Sequence, residues 1–262
     1  MRRYLKLYWA FFKNCLIREM EFRTHFWLSN LISFSWAGVF LLTYIFIFRQ
    51  TGAVNGWTIE QILLLTSLYF LSDRIFDSCF EVNFEEFVEL VNTGRLDLFL
   101  TKPVSSQFMV SLRRFSFSFF FSSIAMAVIA VYLVKHNFWP VSMINLLLSL
   151  IIFLSGVVIV YALWFITLLP VFWWGRADNI QHLFRPFHQL TRIPIDITGK
   201  VLRPLFTFVI PLAFVATIPA QALIGKLSPW LVVYGVGAAA FLLWLSHRLW
   251  NFALRHYTSA SS

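Results

Sequence analysis

The residues with the clearest chemical potential are ionisable side chains inside apolar stretches of the chain. Asp73 and Asp77 lie one helical turn apart in an otherwise apolar segment, and Arg74 lies three residues before Asp77. An unpaired charge inside a bilayer costs roughly 3 kcal/mol, so these side chains pair with one another or serve a ligand. Two interpretations stay open: a structural cluster near the inner membrane interface, and a site for a substrate or a proton.

A second polar set lies between residues 171 and 192. On a helical wheel its members form one stripe, and apolar side chains occupy the opposite face. The stripe consists of Asp178, His182, Arg185, Gln189 and Arg192. A helix of this kind can place one face on lipid and the other on protein or a water-filled cavity. The stripe is therefore a candidate lining of a translocation path or of a subunit seam. The alternative is an interfacial helix that does not cross the membrane.

Signatures of other chemistry do not occur in the sequence. There is no G-x-x-x-x-G-K-[S/T] run, because Gly199-Lys200 and Gly225-Lys226 are each followed by an apolar residue. There is also no H-E-x-x-H or G-x-S-x-G motif, and the six histidines are scattered. We therefore expect no catalytic residue, no metal and no cofactor in this chain.

The composition places these residues in a membrane protein. The 262 residues are 59% hydrophobic and only 13% charged, and the mean hydropathy is +0.74. A soluble domain of this length cannot bury that much apolar surface. The composition excludes a water-soluble enzyme, a disordered protein and a secreted disulfide scaffold. The net charge of +9 is explained by basic residues at a cytoplasmic membrane face, so we expect no nucleic-acid partner.

The hydropathy pattern predicts an all-α polytopic membrane protein, with residues 1–262 as a single transmembrane domain. A span needs about 20 mostly apolar residues. Six segments are predicted to span: 26–48, 60–80, 112–134, 142–169, 171–192 and 229–250. Lys and Arg are concentrated before the first span, so both termini are predicted to face the cytoplasm.

Two further segments are apolar but do not have the pattern of a span. Residues 2–23 form a basic amphipathic helix, which we expect to lie in the membrane interface; packing as a plain cytoplasmic helix is the alternative. Its predicted apolar face consists of Leu5, Tyr8, Trp9, Phe12, Cys15 and Leu16. Residues 193–228 are interrupted by four prolines, which predicts an extracellular re-entrant hairpin.

The cytoplasmic loop over residues 81–111 carries a short helix with an apolar face. The second span continues into this loop with helical periodicity, and its apolar face is Phe80, Phe84, Phe87 and Val91. Gly94 is predicted to end this helix in a left-handed conformation, and Pro103 to end the next one. The apolar side chains of the short helix are Leu96, Phe99 and Leu100. They either pack beneath their own bundle or dock onto a soluble subunit.

The run LVNTGRLDLFLTKPVSSQFMVSLRRF over residues 90–115 resembles the intracellular loop of ATP-binding cassette (ABC) type-2 permeases. In that family a glycine, an acidic residue after a leucine, a short apolar helix and a Pro-Val pair form this loop. The short helix is the coupling helix that sits in a groove of the ATPase. By this resemblance the ATPase-coupling residues are Gly94, Arg95, Leu96, Asp97, Leu98, Phe99, Leu100 and Pro103.

The resemblance implies the permease subunit of an ATP-driven exporter in a bacterial inner membrane. Its partners would be an ABC ATPase on a separate chain, a second permease subunit that is identical or paralogous, and membrane lipid. The substrate would be amphipathic: a drug, a lipid or a glycan. Two other functions stay open. One is an ion-coupled secondary transporter that uses Asp73, Asp77 and the polar stripe; the other is a membrane-embedded enzyme.

Overall fold

The computed structural model describes residues 2–53, 55–137, 141–175 and 182–257. Within these ranges the chain is almost entirely helical and forms no β-strand. In chain order the helices are α1 (Arg2–Glu21), α2 (Arg23–Thr51), α3 (Ile59–Phe76), α4 (Val82–Asn92), α5 (Asp97–Leu100), α6 (Ser106–Leu112), α7 (Phe120–His136), α8 (Met143–Leu168), α9 (Val171–Trp174), α10 (Arg185–Gln189), α11 (Gly199–Pro204), α12 (Thr217–Leu223) and α13 (Trp230–Leu254). The predicted all-α fold is therefore confirmed.

Three helical segments of the described chain are long and apolar enough to cross a membrane. They are α2, the stretch Met143–Trp174 that contains α8 and α9, and α13. They coincide with the spans predicted at 26–48, 142–169 and 229–250. The shorter apolar helix α7 is a fourth candidate. The number of crossings stays a prediction.

The second predicted span is part of a longer helix. The π-helical turn Asp77–Glu81 joins α3 to α4, so the helix runs without a break from Ile59 to Asn92. At 1.5 Å per residue its length is about 50 Å, which exceeds the roughly 30 Å of a bilayer core. Phe84 and Phe87 of the predicted apolar face are buried, while Glu85 on the opposite face is exposed. This helix connects the apolar bundle to the loop over residues 81–111.

The helix predicted over 112–134 begins later than expected. α6 ends at Leu112 and α7 begins at Phe120, with an irregular segment between them. Groups from other parts of the chain bind the backbone of this segment. The Asn30 side chain donates to the Phe117 carbonyl at 3.0 Å, and the Ser116 N–H donates to the Ser78 carbonyl at 2.9 Å. Because these partners come from α2 and the π-helical turn, the segment's own sequence does not reveal the break.

The prediction of a continuous helix over residues 171–192 is wrong. α9 ends at Trp174, and Gly175 adopts φ +62°, a conformation that glycine favours and that ends a helix. The next described helix is α10, which a 3₁₀ turn over Leu190–Arg192 follows. Pro186 lies in the first turn of α10, where a proline needs no hydrogen-bond partner. Asp178 lies outside the described residues.

The proline-rich region 193–228 is folded into short pieces, as its sequence indicates. Beyond α11 and α12 these are a 3₁₀ turn at Ile195–Ile197, a π-helical turn at Leu205–Val209 and a 3₁₀ turn at Leu212–Phe214. Phe214 is fully buried between α8 and α13. A Cβ atom on Gly156 would overlap the Phe214 carbonyl, and one on Gly235 would overlap its ring. Since Gly156 lies near the middle of α8, the region reaches half-way along that helix.

α1 packs on the bundle along part of its predicted apolar face. Phe12 contacts Phe115 and Phe117, with ring centroids 4.9 and 4.8 Å apart, and Cys15 is buried. Leu5 and Trp9 belong to the same predicted face, yet they are exposed. The helix therefore has one edge on protein and a second apolar edge that its own chain does not cover.

Candidate functional site

The loop over residues 81–111 turns sharply at the end of α4. Gly94 has φ +71°, and the Leu96 N–H donates to the Leu90 carbonyl at 3.0 Å across this turn. The left-handed end predicted for this helix is thereby confirmed. α5 is a single turn that begins at Asp97, and Pro103 is exposed in the bend before α6. The loop thus presents one short helix at the end of a long one.

The apolar face predicted for this short helix is turned toward the protein's own bundle. Leu96 is fully buried, Phe99 is nearly so, and Leu100 is half-buried. The Arg113 guanidinium lies 4.7 Å from the centre of the Phe99 ring. These contacts correspond to the alternative in which the helix packs beneath its own bundle. The exposed apolar residue of α5 is instead Leu98, at 63% exposure.

Contacts on both sides hold the loop in place. An ion pair joins Arg95 to Glu89 of α4, and the Ser105 N–H donates to the Tyr4 hydroxyl of α1 at 3.2 Å. Further along, Arg113 forms an ion pair with Glu86. Leu98 therefore projects from a loop that α1, α4 and the start of α6 fix from behind.

A cluster of buried charges lies at the junction of α3 and the π-helical turn. Arg74 lies 3.1 Å from Asp77 and 3.4 Å from Asp73, and all three residues are buried. The i, i+3 contact between Arg74 and Asp77 was expected from their spacing. A π-helical turn inserts an extra residue into a helix and often marks a functional site. Here it carries Asp77 and Glu81 at its two ends.

The broken segment after α9 packs against this cluster. Arg185 forms an ion pair with Glu81 and lies 3.7 Å from Asp77. His188 Nδ1 lies 3.4 Å from Asp73.

Further along the same segment, Arg192 Nε donates to the Tyr69 hydroxyl at 3.2 Å. From Arg185 to Arg192 the partners move back along the long helix, from Glu81 to Tyr69. The segment therefore runs antiparallel to α3, and its polar groups bind that helix one after another.

The polar stripe predicted on a helical wheel is only partly assembled. Arg185 and Arg192 are in the cluster, whereas His182 and Gln189 are exposed. The wheel missed His188, which is 1% exposed, because it assumed an unbroken helix. Pro186, two residues before His188, was the sequence signal that the register could change there.

The balance of charge limits what the cluster can do chemically. Asp73, Asp77 and Glu81 each lie within ion-pair distance of a basic side chain, and these three carboxylates share the guanidiniums of Arg74 and Arg185. Within the described ranges, no group of His, Cys, Asp and Glu could hold a metal ion. The arrangement is suited to holding two parts of the chain together across an apolar interior.

The end of the broken segment at Asp196 is tied to the proline-rich region. The Asp196 carboxylate accepts a hydrogen bond from Gln221 at 2.7 Å and lies 3.1 Å from Arg203. The Ile195 N–H donates to the Thr217 hydroxyl at 3.2 Å. Residues 185–196 therefore connect the charge cluster with the region that wraps Phe214.

The comparisons with known proteins identify the family. The family model described as "ABC-2 family transporter protein" matches residues 34–261, nearly the whole chain. No curated protein and no solved structure matches the chain. Proteins of this family are the membrane components of transporters, and membership implies a partnership with an ATPase component. The loop at Gly94 and the all-helical bundle are in accord with this match: the chain belongs to the ABC-2 family of transporter membrane proteins.

Proposed function

We propose that this chain is the permease subunit of an ATP-driven exporter in a bacterial inner membrane, with both termini in the cytoplasm. Family membership supports a membrane component that works with an ATPase. The concentration of Lys and Arg before the first span supports the orientation. The substrate is an amphipathic drug, lipid or glycan. In support, the broken segment exposes apolar Phe187 and Leu190 beside polar His182 and Gln189.

One observation carries the proposal: an exposed leucine at the end of a rigid cytoplasmic extension. Leu98 projects from α5, with the exposed basic residues Arg95 and Lys102 on either side. The buried Leu96 and Phe99 fix the orientation of this helix. The ATPase groove that fits it has an apolar floor for Leu98 and an acidic rim for the two basic residues.

The transport step is a rigid-body movement that begins at this contact. When ATP closes the ATPase pair, α5 moves with its groove, and the helix from Asn92 to Ile59 transmits the displacement. The ion pairs at Asp77 and Glu81 pass the displacement to Arg185. The bonds of Asp196 pass it to the region that wraps Phe214. Asp73, Asp77 and the polar residues of the broken segment flank the translocation path in this proposal, and Asp178 remains a candidate on the sequence alone.

The same proposal gives the membrane topology. The chain crosses six times, and the fifth crossing is the broken segment that runs antiparallel to α3. Residues 193–228 form a re-entrant hairpin from the outer side, which the contact of Phe214 with mid-α8 supports. Two permeases assemble, because six crossings are half of the usual complement of an ABC transporter.

The test replaces Leu98 with aspartate and measures co-purification with candidate ABC ATPases from the source genome. We expect Leu98→Asp to abolish the association, because a charge enters the apolar floor of the groove. Leu98→Met is the matched control and should retain it. Circular dichroism and membrane yield should stay unchanged in both variants. A Leu98→Asp variant that binds the ATPase as well as the wild type would refute the docking role.

A liposome assay separates this function from an ion-coupled secondary transporter. The paired state of Asp73 and Asp77 supports an ATP-driven mechanism, since a proton or ion carrier needs a carboxylate that can exchange its partner. We expect uptake of an amphipathic fluorescent dye only with the ATPase and ATP present, and its inhibition by vanadate. Transport by the chain alone under a proton gradient would favour the secondary transporter instead.

A further inference from the structure

A cationic pocket lies where α1 meets the irregular segment after α6. Its volume is about 250 Å³, and its lining is Phe11, Asn14, Cys15, Arg18, Arg113 and Arg114. Three of these six side chains are guanidinium groups, which donate several hydrogen bonds in a plane and bind phosphate oxygens in pairs. Phe11 and Cys15 give the pocket an apolar side. Apart from Arg113, which also contacts Phe99 of α5, the lining takes no part in the ATPase contact or the charge cluster described above.

The pocket has more positive charge than the neighbouring carboxylates offset. Arg113 and Arg114 both bind the same oxygen of Glu86, Arg114 at 3.2 Å. Arg18 has no ion-pair partner among the residues that the structure describes. Both oxygens of nearby Glu19 accept the Phe117 N–H at 3.1 Å. Two guanidiniums thus share one carboxylate, and the third interacts with Glu19 only electrostatically. Three positive charges therefore face two carboxylates, so an anion complements the site.

The depth of the pocket points to the lipid headgroup layer. About 20 residues of helix cross the hydrocarbon core, so the long helix that begins at Ile59 leaves it near Ser78. The Arg114 N–H donates to the Asn83 side chain at 2.8 Å, and the Ser116 N–H donates to Ser78 itself. The pocket therefore lies about one turn beyond the core. The helix continues about 14 Å beyond Asn83 to its end at Asn92, and one lining residue of the pocket, Arg113, also contacts Phe99 of α5.

We propose that this pocket binds the phosphate group of an anionic phospholipid from the inner leaflet. The guanidiniums of Arg18 and Arg114 bind the phosphate oxygens, and Phe11 packs against the glycerol end of the acyl chains. The exposed Leu5 and Trp9 place α1 in the same interfacial layer. The bound lipid would hold α1 against the segment that leads into α7.

The test uses native mass spectrometry of the purified chain in detergent, titrated with phosphatidylglycerol or with phosphatidylcholine of the same acyl chains. We expect preferential binding of phosphatidylglycerol. Arg18→Gln and Arg114→Gln should each weaken it about fivefold, the effect of one basic residue at an anionic membrane surface. Arg3→Gln removes an equal charge from an exposed position of α1 outside the pocket, and it should leave binding unchanged.

Four results would overturn the proposal. Equal weakening by Arg3→Gln would mean that overall surface charge, not a site, attracts the lipid. Equal binding of phosphatidylcholine would remove the anion requirement. Displacement of phosphatidylglycerol by millimolar inorganic phosphate would assign the pocket to a soluble anion. Loss of ATPase association in Arg18→Gln with unchanged lipid binding would assign it to the ATPase. Since lipid binding is measured without the ATPase, its outcome is independent of the exporter function.

Discussion

The loop at residues 81–111 and the broken segment at residues 182–196 are both built from short helices and turns, yet they are held in opposite ways. In the loop, apolar burial of Leu96 and Phe99 fixes a one-turn helix and leaves Leu98 exposed. In the broken segment, polar groups are buried one by one against α3, while Phe187 and Leu190 face outward. Apolar packing needs only a filled volume, whereas each buried charge needs a specific partner. The loop therefore tolerates substitutions that conserve the buried volume, whereas the broken segment depends on its individual polar contacts.

The largest effect is expected where the broken segment meets the π-helical turn. Asp77→Asn removes the carboxylate that faces both Arg74 and Arg185, so each of these guanidiniums loses one of its two acidic partners. We expect the free energy of unfolding, measured in mixed detergent and SDS micelles, to fall by about 3–5 kcal/mol. Glu85→Gln, an exposed acidic residue of α4, is the control and should change it by less than about 0.5 kcal/mol. A loss as small as that of the control would show that the cluster does not hold the segment.

A smaller loss of stability is expected in the loop, where apolar packing holds α5. Phe99→Ala opens a cavity beneath α5, and we expect the free energy of unfolding to fall by about 3 kcal/mol. Leu98→Ala is one residue away but exposed, and its stability should stay within about 0.5 kcal/mol of the wild type. Similar losses in the two variants, in the same micelle titration, would contradict the inward orientation of Phe99.

The smallest effect is expected at the rim of the charge cluster, where Arg185 and Glu81 pair. Arg185 is about one-third exposed, so solvent weakens the interaction. A double-mutant cycle with Arg185→Gln and Glu81→Gln should give a coupling energy of about 1 kcal/mol. A coupling energy near zero would show that the contacts of Asp73 and Asp77 alone hold the broken segment.

Some contacts of the charge cluster could be predicted from the sequence, and others could not. The contact between Arg74 and Asp77 follows from local helical geometry, and the sequence alone predicted it. Arg185 and Arg192 were recognised as polar residues in an apolar region. Their partners, which lie on the π-helical turn and on α3, were not predicted. His188 was missed, and Gln189 was predicted to face inward, because one break in the helix rotates every residue that follows it.

What the sequence determined by itself was the set of features that depend on neighbouring residues: the apolar segments near 26–48, 142–169 and 229–250, the extension of the second span, and the turn at Gly94. Each depends on periodicity or on the conformational freedom of a single residue. The tertiary structure decided the rest: the irregular segment between α6 and α7, the pairing of His188 with Asp73, and the exposure of Leu98 in place of Leu96 and Phe99. These depend on which distant groups satisfy a buried charge or fill a volume, and no local pattern encodes that choice.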